Sequence, residues 1–86
     1  MNSFEVVKAT GERQKFELSK LKRSLRNAGA EPHIIKSVVN SLHEQGYFRD
    51  GITTKKIYSE AYRLLKQRSK RVAGRYKLKE ALLQLG

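Results

Sequence analysis

Apolar residues along this chain recur with two periods, and the change from one to the other divides it. Near the start the period is two. Phe4 and Val6 fall on one face of an extended segment, Ala9-Thr10-Gly11-Glu12 reverses the chain, and Gln14-Lys15-Phe16 carries it back. The pattern predicts a β-hairpin with Gly11 at the positive-φ position of its turn. Two strands alone are marginal in water, so something apolar must cover one face of the hairpin.

From Leu18 onward the spacing is that of helices. Leu18, Leu21, Leu25 and Ala28 predict a first helix over about 19–28, with Ser19 as its N-cap and Gly29 just past its end. Pro32 suits the first turn of a second helix, whose wide stripe of Ile34, Ile35, Val38, Val39 and Leu42 stops at Gly46. As the most apolar element, this helix is expected to form the core. After Tyr47, Phe48 and a turn at Asp50-Gly51, Thr53 can cap a third helix that carries Ile57, Tyr58, Ala61, Leu64 and Leu65. Gln67-Arg68-Ser69 interrupts the pattern before a fourth helix, capped by Ser69 and expected to reach about Leu85. The predicted fold is therefore α+β, an N-terminal β-hairpin packed on a bundle of four α-helices.

The fourth helix is divided, with Val72 and Tyr76 on one side and Leu78, Leu82 and Leu85 on another. The second set is expected to pack on a neighbouring domain or on a second copy of the chain. Because the sequence stops at Leu85-Gly86, directly after that apolar face, the expectation is a domain cut from a longer protein, with this helix as its output element.

Composition narrows the class. A chain of 86 residues makes one domain that buries only about 60% of its unfolded surface, so a single modest core is available. No cysteine is present, which excludes disulfides and thiolate metal sites and favours a reducing compartment. Met1-Asn2-Ser3-Phe4-Glu5 lacks the basic start and apolar run of an export signal, and no apolar run approaches the ~20 residues of a spanning helix. A soluble cytoplasmic protein without a membrane partner is expected.

Charge adds a partner class. Nineteen Lys and Arg against eight acidic residues give +11. Residues 1–29 carry seven basic and three acidic groups, residues 30–50 two and three, and residues 51–86 ten and two. Such asymmetry suits a polyanion, whether nucleotide phosphates, a nucleic-acid backbone or an acidic protein surface. The run Lys66, Arg68, Lys70, Arg71, Arg75, Lys77 and Lys79 could track a phosphate backbone, and Lys22, Arg23 and Arg26 could extend it, although a run of this kind is more often a solvated face. His33 and His43 stand ten residues apart without further ligands, so no metal is expected. With one aspartate, no nucleophile and His base at recognisable spacing, and neither Gly-rich phosphate fingerprint, the chain is not expected to be an enzyme.

Two stretches, Val6-Val7-Lys8-Ala9-Thr10-Gly11 and Phe16-Glu17-Leu18-Ser19-Lys20-Leu21, resemble the opening of the ATP-cone family, a hairpin Val-x-Lys and Gly turn followed by an apolar-x-x-Lys-apolar helix start. The likeness continues through Gly51-Ile52-Thr53-Thr54, Ile57 and Tyr58 to Ala73-Gly74-Arg75-Tyr76, nearly the whole chain. It implies a regulatory domain over residues 1–86 that binds ATP or dATP, with or without magnesium, between hairpin and helices, and so controls an attached enzyme. By position, Lys8 and Lys20 would meet phosphates, and Phe16 and Leu21 would wall the base or sugar. Val7 belongs to the same pattern, and Gln14, Glu17, Thr54 and Tyr58 would supply polar contacts. Ala9 stands where the family often has a second basic residue, and Lys79 and Leu83 where it places an aromatic and a lysine. The terminal Tyr76 to Gly86 stretch also resembles the junction in bacterial proteins where a cone precedes a restriction-endonuclease-like domain, which would make the neighbour a nuclease.

Taken without that resemblance, Lys8 and Lys20 are two cations among nineteen, Phe16, Leu21 and Ile57 are core residues, Thr54 is a first-turn residue beside the cap Thr53, and Tyr58 fills the core. The alternative function is a basic helical nucleic-acid-binding module that uses Lys66, Arg68, Lys70, Arg71 and Arg75 and has no nucleotide pocket.

Overall fold

The hairpin forms where the alternation places it. In a computed structural model that describes residues 3–75, with side chains through residue 72, β1 (Glu5–Val7) pairs antiparallel with β2 (Arg13–Lys15), Val6 opposite Gln14. The Gly11 N–H donates to the Lys8 carbonyl (2.8 Å) and the Lys8 N–H to the Glu12 carbonyl (2.8 Å), so the chain reverses with Gly11 at φ +90°. That left-handed conformation favours glycine because a Cβ would crowd the following carbonyl.

Among the described residues four helices follow, α1 (Leu18–Asn27), α2 (Pro32–Glu44), α3 (Thr54–Arg68) and α4 (Lys70–Arg75). Local chemistry sets most of their ends. Gly29 ends α1 at φ +93°, with the Ala30 N–H reaching back to the Leu25 carbonyl (3.1 Å) and the Gly29 N–H to that of Arg26 (2.9 Å), a Schellman closure. Gly46 ends α2 in the same way. Pro32 stands in the first turn of α2, where its missing N–H costs nothing. Thr53 caps α3 by accepting from the Lys56 N–H (3.0 Å), and the Ser69 hydroxyl accepts from the Val72 N–H (3.3 Å) at the start of α4.

Two expectations are corrected. Helix α1 starts at Leu18 with Glu17 at the N-cap position, and Ser19 lies inside the first turn; leaving β2 directly into helix lets Leu18 pack against the core. The centre of the core is α3, not α2. Ile57, Tyr58, Ala61, Leu64 and Leu65 of α3 are buried, against Ile35, Val38 and Leu42 of α2, whose Ile34 and Val39 remain half-exposed. The reason is position, since α3 is packed on by both α2 and α4, and Val6 of the hairpin joins the same buried cluster. Each fully buried Leu or Ile there contributes about 1.5–3 kcal/mol.

Residues 50–53 lie along the free edge of β1, a pairing that the local pattern did not suggest. The Val7 N–H donates to the Ile52 carbonyl (2.9 Å), the Gly51 N–H to the Glu5 carbonyl (3.0 Å), and Asp50 Oδ1 accepts from the Glu5 N–H (2.8 Å). Val7 and Thr53 form a parallel bridge. Phe48, just upstream, completes a ring cluster with Phe4 and Phe16, centroids 4.9 to 5.6 Å apart. These contacts give the hairpin the apolar cover it requires and fix the start of α3 against β1. The predicted continuation to Leu85, with Tyr76, Leu78, Leu82 and Leu85, lies outside the described residues.

Candidate functional site

Three short segments meet beneath the hairpin. Period-two alternation turns Val6, Gln14 and Phe16 to one face, i,i+3 spacing puts Glu17 and Lys20 together on the first turn of α1, and i,i+4 spacing does the same for Thr54 and Tyr58 on α3. With Lys15 they enclose a cavity of about 190 Å³.

The cavity is chemically mixed. Phe16 and Tyr58 supply aromatic surface and Val6 an aliphatic wall, whereas Gln14, Glu17, Lys15 and Lys20 supply amide, carboxylate and ammonium groups. Lys20 Nζ and Glu17 Oε2 pair at 3.1 Å, both about half-exposed, so the cation is held near the cavity without being buried. Thr54 differs from these residues. Its side chain is buried, and Oγ1 has no hydrogen-bond partner among the described residues. Leaving a buried hydroxyl unpaired costs about 1–3 kcal/mol, and native proteins normally satisfy such a group with protein, water or ligand. The neighbouring hydroxyl of Thr53 is consumed by the α3 cap. Thr54 also opens α3, where unpaired N–H groups and the positive end of the helix dipole favour an anion.

Of the residues named from the sequence, Gln14, Phe16, Glu17, Lys20, Thr54 and Tyr58 converge on this cavity. Val7, Lys8 and Leu21 do not line it. Val7 is on the opposite face of β1 from Val6, Lys8 belongs to the hairpin turn, and Leu21 is fully buried one helical turn below Glu17. Val6 and Lys15 line the cavity and were not singled out. For Val6 the alternation that placed it with Phe4 was a usable signal; for Lys15, on the other face of β2, none was.

The basic run is divided by the structure. Lys66, Lys70 and Arg71 are exposed, and Arg75 is the last described residue of α4. Arg68 is instead half-buried between two helices, donating from Nε to Ser37 Oγ (2.6 Å), from one terminal nitrogen to Ser41 Oγ (2.8 Å) and from the other to the Leu64 carbonyl (3.0 Å). Its guanidinium is committed to holding α3 against α2. A second polar cluster lies midway along α3, where Arg63 Nε donates to Glu60 Oε1 (2.7 Å), a terminal nitrogen of Arg63 to Gln45 Oε1 (3.1 Å), and Lys56 Nζ approaches Glu60 Oε2 (3.5 Å). The Arg63 hydrogen bond holds the Glu60 carboxyl below its usual range, outweighing the opposing effect of burial; Tyr47 and Lys56 act in the same direction. Glu60 in turn raises the Arg63 guanidinium above its usual value.

Among the described residues no three His, Asp or Glu side chains converge as metal ligands, and no helix is long and apolar enough to cross a membrane. No family model, curated protein or solved structure matches the chain.

Proposed function

We propose that this chain is an ATP-cone-like regulatory domain that binds ATP or dATP between its hairpin and helices and transmits the bound state to an attached domain without hydrolysing the nucleotide. The observation that carries this reading is the convergence of six pattern-derived residues on one cavity containing a buried, unpartnered Thr54 hydroxyl. A volume of about 190 Å³ is below the roughly 300–1,000 Å³ of pockets that enclose a whole drug-sized ligand. The cavity therefore takes one part of the nucleotide, and the remainder lies along the exposed rim. Phe16 offers a ring to the base, Gln14 and Glu17 offer hydrogen bonds to base or ribose, and Thr54, Lys20 and Lys15 offer donors to phosphate oxygens. On binding, Lys20 exchanges its Glu17 partner for phosphate.

Titration with ATP, dATP and ADP, followed by calorimetry and by amide NMR, tests the proposal. Shifts are expected at Gln14, Phe16, Glu17, Lys20, Thr54 and Tyr58. Lys20→Ala removes a charge-assisted contact worth about 1.5–3 kcal/mol and weakens affinity about tenfold or more with the fold intact. No heat and no shifts at millimolar nucleotide would overturn it.

A further inference from the structure

Between α1 and α2, away from the hairpin, lies a larger concavity of about 510 Å³ lined by Lys22 and Arg26 of α1, Ala30 of the connection, and Pro32, Ile35, Lys36, Val39 and Asn40 of α2. Its residues are arranged in two zones. Ala30 and Ile35 are buried at its base and Val39 is half-buried, which makes an apolar floor; Lys22, Arg26 and Lys36 make a cationic rim. None of these three cations is ion-paired among the described residues, whereas Arg13, Lys20, Lys56 and Arg63 each have a carboxylate neighbour. Among the described residues no acidic side chain lines the groove.

We infer that this groove docks an acidic amphipathic helix of a partner protein, whose apolar face covers Ala30, Ile35 and Val39 and whose carboxylates pair with Lys22, Arg26 and Lys36. Length supports this occupant. From Pro32 to Asn40 the groove follows α2 for about 12 Å at 1.5 Å per residue, long enough to seat roughly two turns of a helix laid along it. Charge selects it over a second copy, because two chains of +11 each repel and neither brings a carboxylate-rich helix. The floor selects it over nucleic acid, since a phosphate backbone gains from cations but has no use for an aliphatic base. Among the described residues the groove shares none with the cavity beneath the hairpin, so the inference stands whether or not a nucleotide binds there.

The probe is a fluorescent synthetic peptide of about 15 residues with leucines along one helical face and glutamates on its flanks. Anisotropy at low salt measures its binding to the 86-residue chain, and amide NMR locates it. Binding is expected with shifts confined to Lys22 through Asn40, a loss of about tenfold or more in the exposed double variant Arg26→Glu, Lys36→Glu, and no binding of the same peptide with lysines for glutamates. Val39→Asp, checked for folding by circular dichroism, is expected to weaken the peptide as well. The inference is overturned if the acidic peptide does not bind, if the double variant binds it as well as the parent chain, or if a short DNA duplex binds instead and loses affinity in the double variant while ignoring Val39→Asp.

Discussion

The two ends of α3 both carry polar side chains into the interior, and they are treated in opposite ways. At the C-terminal end each nitrogen of the Arg68 guanidinium donates a hydrogen bond, to two serine hydroxyls of α2 and a carbonyl of its own helix. At the N-terminal end Thr54 is buried with its hydroxyl unanswered, beside a cavity rimmed by lysines. A cation from the basic run thus became structure, and a threonine in the helix's first turn became a candidate contact. Exposure and hydrogen-bond completion separate the two roles where residue type does not.

The largest effect should come from the satisfied end. Arg68→Ala removes three hydrogen bonds from a charged donor and strips Ser37 and Ser41 of their partner, so a loss of about 2–3 kcal/mol is expected in urea unfolding. Lysine should not restore it, because a single ammonium cannot span both serines and the carbonyl. A loss below about 0.5 kcal/mol would mean the clamp is ornamental and the comparison fails.

Next is the cap that lies between the cavity and the rest of the helix. Thr53→Ala should cost about 1 kcal/mol, and Thr53→Asp should retain most of the stability, as equilibrium unfolding of the two variants will reveal.

A smaller, pH-dependent contribution should come from Glu60. Its folded carboxyl is depressed, so the stabilisation is fully present above the ordinary Glu value of about 4.3 and is lost as pH falls through the lower folded value. Thermal melts should therefore show the parent chain converging on Glu60→Gln as the solution is acidified below that range; a gap that persists unchanged would contradict the assignment.

The smallest effect on stability should be at the unsatisfied end. Thr54→Val keeps the branched shape and deletes a hydroxyl that has no partner among the described residues, so unfolding should be unchanged or slightly more costly. The same variant should lose nucleotide affinity by about tenfold. A clear destabilisation would show that the hydroxyl already has a partner in the free protein.

Much of the local structure was written in the sequence. Gly11, Gly29 and Gly46 stand where the chain turns through positive φ, Pro32 and Thr53 stand at helix starts, and the spacing of apolar residues marks three helices within a residue or two of their ends. These signals are legible because each acts over one to five residues, through φ preference, capping or a single turn of side-chain contact. Ser19 misled because a capping residue is informative only where the chain leaves extended geometry, and that happens at Glu17.

What tertiary structure alone decided are the contacts across long separations. Residues 50–53 pair with β1 some forty-five positions away, which sets the start of α3 against the hairpin and so creates the cavity. The same packing made α3 rather than α2 the centre, placed Lys15 at the cavity while leaving Lys8 outside it, and drew Arg68 away from solvent. No local pattern encodes these outcomes, because they depend on which buried faces find one another once the loops between them have closed, and a residue's neighbours in the chain have little influence on that choice.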